Sequence, residues 1–218
     1  MKKVTFEQVE RKRRELSQVL RQFRAAKGRY HNPAPELPAH ILEECQVLPG
    51  RLALLDKLEP DQTLGLLGVA TGDLAAQILY RSKPAMLHLF DEDLSRMVNP
   101  DIRAELASEE CRLKPHVGGV GDTLSRLPDA HFDVFYINGD HAYDAVKADI
   151  ERILPKIKPG GAMIFHSYTT WSAVTMYHCG VARAVHEFCL ENPWRFRYLA
   201  LEPMMYNDVM LVHEADNS

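Results

Sequence analysis

Residues 132–168 read FDVFYINGDHAYDAVKADIERILPKIKPGGAMIFHSY. The stretch opens on the apolar run DVFYI (133–137) and passes through the polar tip Asn138-Gly139-Asp140-His141. In AYDAVKADIERILPKI the apolar residues then recur at helical spacing, and the chain returns through Pro159-Gly160-Gly161 to a second apolar run, AMIFH (162–166). Strand, helix and strand in that order predict a βαβ unit, whose crossover is long enough for its two strands to lie parallel. Upstream, TLGLLGV (63–69), AMLHLF (85–90) and LKPHV (113–117) are further short apolar runs followed by polar or turn residues. LAAQILYRS and DLSRMVNPDIRAELAS, between them, have helical periodicity. Near-continuous apolar strands separated by helices indicate a parallel sheet covered on both faces. Downstream, a helix around VARAVHEFCLEN precedes WRFRYLALE (194–202) and DVMLVHE (208–214), joined only by PMMYN. So short a connection permits only an antiparallel pair. The expected fold is α/β: a doubly wound, mostly parallel seven-stranded sheet with an antiparallel C-terminal hairpin, which dinucleotide-binding folds lack.

A chain of 218 residues that is 46% hydrophobic buries a sizeable core. No run of about 18 apolar residues exists, and MKKVTFEQVERKRREL lacks the apolar centre of a signal peptide, so no membrane partner and a cytoplasmic location are expected. Cys45, Cys111, Cys179 and Cys189 form no CxxC pair and read as reduced structural thiols. The net charge of −4 conceals a basic arm, in which Lys2, Lys3, Arg11, Lys12, Arg13, Arg14, Arg21, Arg24, Lys27 and Arg29 crowd the first thirty residues. Val9, Leu16, Leu20 and Phe23 recur there at helical spacing, which favours docking on its own domain or, in a homodimer, on a sister subunit. The acidic remainder is a poor match to a phosphate backbone, so nucleic acid is disfavoured. HNPAPELP (31–38) cannot continue a helix and reads as a linker, giving a basic helical arm over 1–30 and a main domain over 39–218.

In open α/β sheets ligands bind beyond the carboxyl ends of the strands. After the first strand stands Gly68-Val69-Ala70-Thr71-Gly72-Asp73, whose glycines permit a tight turn and whose Asp73 is a candidate helix cap. Its G-x-x-x-G spacing does not specify a pyrophosphate cradle, which also disfavours a dehydrogenase. Asp91 ends the second run, placed to accept both hydroxyls of a ribose, while Asp93 reads as an N-cap. Behind the third run come Gly121 and Asp122, where Asp122 is either an acceptor for an adenine amino group or a helix cap. Asn138, Asp140, His141 and His166 follow the fourth and fifth runs and point to one pocket at one sheet edge. His31, His40, His88, His131 and His213 read as structural.

GVATGDLAAQIL, HLFDED, FDVFYINGDHAYDAVKADIERILPKIKPGG and AMIFHSY together resemble the successive motifs of class I S-adenosylmethionine-dependent methyltransferases. The similarity is greatest to the small-molecule O-methyltransferase-like branch whose fourth strand reads Y-I-D-G-D-H-x-Y, and CQVLPGRLALLDKL resembles that branch's lead-in helix. The resemblance implies S-adenosyl-L-methionine as cofactor, with Gly68, Val69, Ala70 and Gly72 around its methionine part, Asp91 on its ribose, Gly121 and Asp122 near its adenine, and Asn138 alongside. It implies methyl transfer to a small-molecule hydroxyl, with His166 as candidate general base, His141 second, and Asn138 and Asp140 beside them. The chain departs from the family at Leu66, where many relatives carry an acid, and at Asn138 and Ser167, where metal-dependent relatives carry carboxylates. Catalysis without a divalent ion is therefore expected, since hard cations need those oxygens. The same departures make a catalytically inactive binding or scaffold protein the alternative. TTWSAVTMYH (169–178) is a candidate lid whose Trp171, Met176 and Tyr177 would line an apolar acceptor pocket.

Overall fold

Helix formation begins at Thr5 in a computed structural model that describes residues 4–25, 33–172 and 177–213. The chain divides into two units, Met1–Pro33 and Ala34–Ser218. In the first, the Thr5 N–H donates to Gln8 Oε1 (2.9 Å) and the Gln8 N–H donates to Thr5 Oγ1 (3.3 Å), a reciprocal capping box that opens α1, Phe6–Ala25. Its apolar stripe is solvent-accessible at Val9 and Phe23.

The second unit is a sheet wrapped by helices on both faces. Its elements in chain order are β1 (Gln46–Leu48), α2 (Arg51–Leu55), β2 (Thr63–Leu67), α3 (Asp73–Ser82), β3 (Met86–Asp91), α4 (Pro100–Leu106), β4 (Leu113–Val117), α5 (Val120–Leu124) and β5 (Phe132–Ile137). There follow α6 (Tyr143–Ile153), β6 (Ile157–Tyr168), the two-residue strands β7 (Trp171–Ser172) and β8 (Tyr177–His178), α7 (Val181–Glu191), β9 (Trp194–Ala200) and β10 (Asn207–His213). The sheet order is β1-β9-β10-β6-β5-β2-β3-β4, and only β10 runs antiparallel to its neighbours. Because β9 and β10 are joined by residues 201–206 alone, no other direction is available to β10.

The period of two along each strand divides the core between the faces. Phe90, Phe135, Ile137 and Phe165 pack with residues of α5, α6 and α7, whereas Leu66, Tyr136 and Ile164 pack with residues of α2, α3 and α4. Helices on both sides make the sheet doubly wound, and the strand order reverses between the neighbouring β2 and β5, the switch point at which such folds bind ligands.

The sheet holds one strand more than the seven expected. QVL, inside the segment resembling a lead-in helix, is instead the edge strand β1, parallel to β9, and only after Pro49-Gly50 does helix α2 start. The helix expected across DLSRMVNPDIRAELAS is broken in two. Asp93 caps a 3-10 turn at Leu94–Arg96 by accepting from Ser95 N (2.8 Å), and Asn99 caps α4, whose first residue, Pro100, lacks the N–H a continuing helix would need. The strand expected at 162–166 extends back through Pro159-Gly160-Gly161, with a register irregularity against β5.

Candidate active site

The turn after β2 is locked against the tip of β5. Gly68 adopts φ +83°, and a Cβ there would lie 2.0 Å from the Asn138 carbonyl oxygen, so only glycine fits. The Asn138 N–H donates to Leu67 O (2.9 Å), its side-chain Nδ2 donates to Gly68 O (2.8 Å), and Gly68 N–H donates to Phe90 O (2.9 Å). Asn138 thus holds the turn in shape and does not face the two histidines with its amide donor. Ala70 and Gly72 are also left-handed, with φ +50° and +93°. Gly72, not Asp73, is the N-cap of α3; the Asp73 carboxylate accepts from Thr71 Oγ1 and Asn99 Nδ2 (both 2.8 Å).

Asp91 sits at the end of β3 beside this turn. Its Oδ2 accepts the N–H groups of Val69 (2.9 Å) and Ala70 (3.2 Å), and its Oδ1 accepts that of Asp93 (3.1 Å). A carboxylate offers about four acceptor directions, so one remains, on Oδ1. Asp91 thus shapes the loop through these three backbone contacts. Gly121 and Asp122 lie in the first turn of α5, whose N-cap is Gly119, so Asp122 is not a cap; its side chain is exposed.

Past β5, Asp140 Oδ1 accepts the N–H of Ala142 (2.9 Å) and so organises the start of α6, leaving Asp140 exposed. His141 is anchored by its carbonyl, which accepts Gly180 N–H (2.8 Å), and its ring lies 5.7 Å from that of His166, centroid to centroid. Burial, reinforced by His166, holds the His141 imidazole below its ordinary pKa against the opposing pull of Asp140, so it is neutral at pH 7. Its Nε2 is buried without a hydrogen-bond partner. Of the four residues read as convergent, the two histidines meet edge-on, while Nδ2 of Asn138 and Oδ1 of Asp140 are engaged by backbone.

Behind His166 lies a buried polar network that no single motif announces. Asp208, in β10, is fully buried. Its Oδ1 is 2.7 Å from His166 Nδ1, and its Oδ2 accepts from Tyr136 Oη (2.5 Å) and Arg51 Nε (2.7 Å). Arg51 Nε also donates to Tyr136 Oη (3.0 Å), Arg51 Nη2 lies 2.8 Å from His166 Nδ1, and the Arg51 N–H donates to Glu202 Oε1 (2.6 Å). Burial pushes the Asp208 carboxyl up, but hydrogen bonds from His166 and Arg51 outweigh it and hold the group below the ordinary carboxylate range. Burial, with the adjacent Asp208 charge, raises Tyr136 well above ordinary tyrosine, so it remains a neutral phenol. Burial lowers Arg51, yet its contacts with Asp208 and Tyr136 leave it above its usual value and always charged.

Leu66 is fully buried and pairs across β2 and β5 with Tyr136, so no acid stands at that position. Ser167 is buried at φ +56°, its Oγ unpartnered. Among the described residues, no group of three or more His, Cys, Asp or Glu is arranged to hold a metal ion. The candidate lid begins as the β7–β8 pair, with Ser172 Oγ 2.8 Å from Tyr206 Oη; Met176 and the Tyr177 side chain lie outside the described residues. His88, read as structural, is buried, with its Nδ1 3.0 Å from His116 Nε2 and its Nε2 3.4 Å from His131 Nε2.

Residues 66–168, from the tip of β2 to the end of β6, match the model of a family described as a methyltransferase domain. No curated protein sequence matches the chain. Among solved structures, the chain is similar to an O-methyltransferase from Bacillus cereus in complex with SAH (TM-score 0.57, 16% identity, 91% of this chain and 90% of that one). It is also similar to the pyocyanin biosynthetic protein PhzM (TM-score 0.54, 16% identity, 71% of this chain) and to spermidine synthase from Thermotoga maritima (TM-score 0.53, 11% identity, 77% of this chain). The chain spans only 51% and 59% of the lengths of those two. The eight-stranded sheet with its antiparallel C-terminal strand is the Rossmann-like methyltransferase fold.

Proposed function

We propose that the chain is an S-adenosylmethionine-dependent O-methyltransferase acting on a small-molecule hydroxyl, with His166 as general base. The observation that supports this most is the His166–Asp208 pair: an imidazole partly open at the carboxyl edge of the sheet, 2.7 Å from a carboxylate with no solvent exposure. A carboxylate on Nδ1 holds the ring in orientation and stabilises the imidazolium that forms when Nε2 takes the acceptor's proton. Gly68, Val69, Ala70, Gly72 and Asp91 would hold the methionine and ribose parts of the cofactor, with Gly121 and Asp122 toward the adenine. The fit rests on the glycine-lined turn and on the one acceptor direction left on Asp91. When bound, the cofactor supplies a methyl group on sulfonium sulfur: the acceptor oxygen gains the methyl, the sulfur leaves as a neutral thioether, and the hydroxyl proton ends on the base. The chain contributes alignment of the acceptor oxygen and removal of its proton, and orientation alone supplies about 7–11 kcal/mol in well-aligned reactions.

Donor chemistry also supports metal-independent catalysis. The Asn138 amide is bonded to Gly68 O, and Ser167 offers a neutral hydroxyl where a hard cation wants carboxylate. Turnover is expected to persist in excess chelator; complete loss restored by Mg²⁺ would contradict this. The second reading, a catalytically inactive methyltransferase-like binding or scaffold protein, is favoured by one observation, that three backbone N–H groups already occupy Asp91. Transfer of a labelled methyl group to a panel of hydroxyl-bearing small molecules separates the two. Product formation lost by at least about 100-fold in His166→Ala supports the enzyme; absence of transfer to any acceptor supports the second reading.

A further inference from the structure

His166 Nδ1 lies within hydrogen-bond distance of two partners that make opposite demands on it. Asp208 Oδ1, 2.7 Å away, accepts only, so that contact needs a proton on Nδ1. Arg51 Nη2, 2.8 Å away, donates only, so that contact needs Nδ1 to be a lone pair. One nitrogen cannot satisfy both. We propose that Arg51 and Asp208 compete for Nδ1 of His166, and that Arg51 is thereby a positioning residue which sets whether Nε2 is a proton donor or a base.

With Asp208 as partner, Nδ1 carries the proton and Nε2 presents its lone pair to the acceptor. With Arg51 as partner, Nδ1 is unprotonated and the neutral ring carries its proton on Nε2, where it cannot accept another. Taking up the acceptor's proton gives an imidazolium, which donates from Nδ1 to Asp208 and must release Arg51. Both contacts are charge-assisted, one through an anion and one through a cation, so neither dominates by type. Arg51 also lines a cleft of about 540 Å³ that Leu52, Gln77, Arg81 and Glu202 border. Its main chain stays fixed, since the backbone N–H is held by Glu202 Oε1 at 2.6 Å. The ring can thus exchange partners by movement of one guanidinium while α2 and β10 remain in place.

The inference rests on the reading of His166 as the base, yet it can be tested without cofactor or acceptor. The full chain, labelled with ¹⁵N-histidine, is titrated by NMR, whose nitrogen shifts report the tautomer of His166 directly; His166→Gln assigns the signal. Arg51→Met is expected to move the neutral ring to the Nδ1–H form, because the competing donor is lost and the acceptor Asp208 remains. Asp208→Asn is expected to move the tautomer in the opposite direction. Removing Arg51 leaves a buried carboxylate with less support, so Arg51→Lys, which keeps the charge but loses the planar fork, serves as a second variant and is expected to shift the tautomer in the same sense as Arg51→Met. A residue that merely holds the fold would not drive the tautomer in opposite directions when it and its ion-pair partner are replaced. An unchanged tautomer in folded Arg51→Met and Asp208→Asn, or a shift of the same sign in those two, overturns the proposal. Titration of the same samples with S-adenosylhomocysteine tests the functional reading separately: absent binding removes that reading and leaves the tautomer result standing.

Discussion

Gly68 shows how narrowly the candidate site is specified. Its positive φ and the 2.0 Å approach to Asn138 O act together, so Gly68→Ala forces the β2 turn away from the β5 tip. Destabilisation by about 2 kcal/mol or more is expected, measured as a lower denaturant midpoint with unchanged slope. The glycine was legible in the sequence, but its partner was not. Asn138 reads as a residue facing the acceptor, because an amide after a strand advertises chemistry, and nothing local reveals that its Nδ2 would reach back to Gly68 O. Asp208 was missed for the opposite reason: an acid at the start of DVMLV looks like a strand boundary. Its partner Arg51 lies 157 positions away, and only the tertiary fold unites them. The available signal was a lone acid entering an otherwise apolar strand, since such a charge is retained inside only when paired.

At the scale of elements, β3, β4 and the entry to β5 carry a cluster of three imidazoles, His88, His116 and His131. Burial, together with the neighbouring His116, His131 and Lys114, pulls His88 down to about 3, and burial lowers the other two as well. With the folded-state value below the unfolded one, protons bind the unfolded chain first. The contribution is intact above about pH 6.5 and is lost progressively as the pH falls toward 3, at about 1.4 kcal/mol per pH unit for His88. His88→Phe, a ring among the rings of Phe90 and Phe132, is expected to flatten the fall in stability between pH 6.5 and 4.5. An equally steep acid limb in that variant would place the sensitivity elsewhere. The central strands could be read because burial on both faces leaves unbroken apolar runs such as DVFYI and TLGLL. β1 could not: three residues at a sheet edge have no period of their own, and QVL is a strand only because β9 lies beside it.

For the whole molecule, the division between Met1–Pro33 and Ala34–Ser218 gives the second unit its own two-layered core. Deleting residues 1–33 is therefore expected to shift Tm by less than about 3 °C, as followed by calorimetry. A large loss of stability would show that the basic arm is part of the core. The doubly wound order and the C-terminal antiparallel strand were both legible, because connection length alone decides strand direction at residues 201–206. The proposed methyltransferase activity requires a nucleoside over the tips of β2 and β3, at the Gly68 turn and Asp91. Calorimetric titration of the full chain with S-adenosylhomocysteine tests that placement most directly, with Asp91→Asn as the paired sample and its Tm as a control. The account predicts micromolar binding to the native chain and at least about tenfold weaker binding to the variant at little changed Tm, as expected for a lost hydrogen bond to a charged acceptor. No heat of binding to the native chain, or equal affinity in the folded variant, would contradict it.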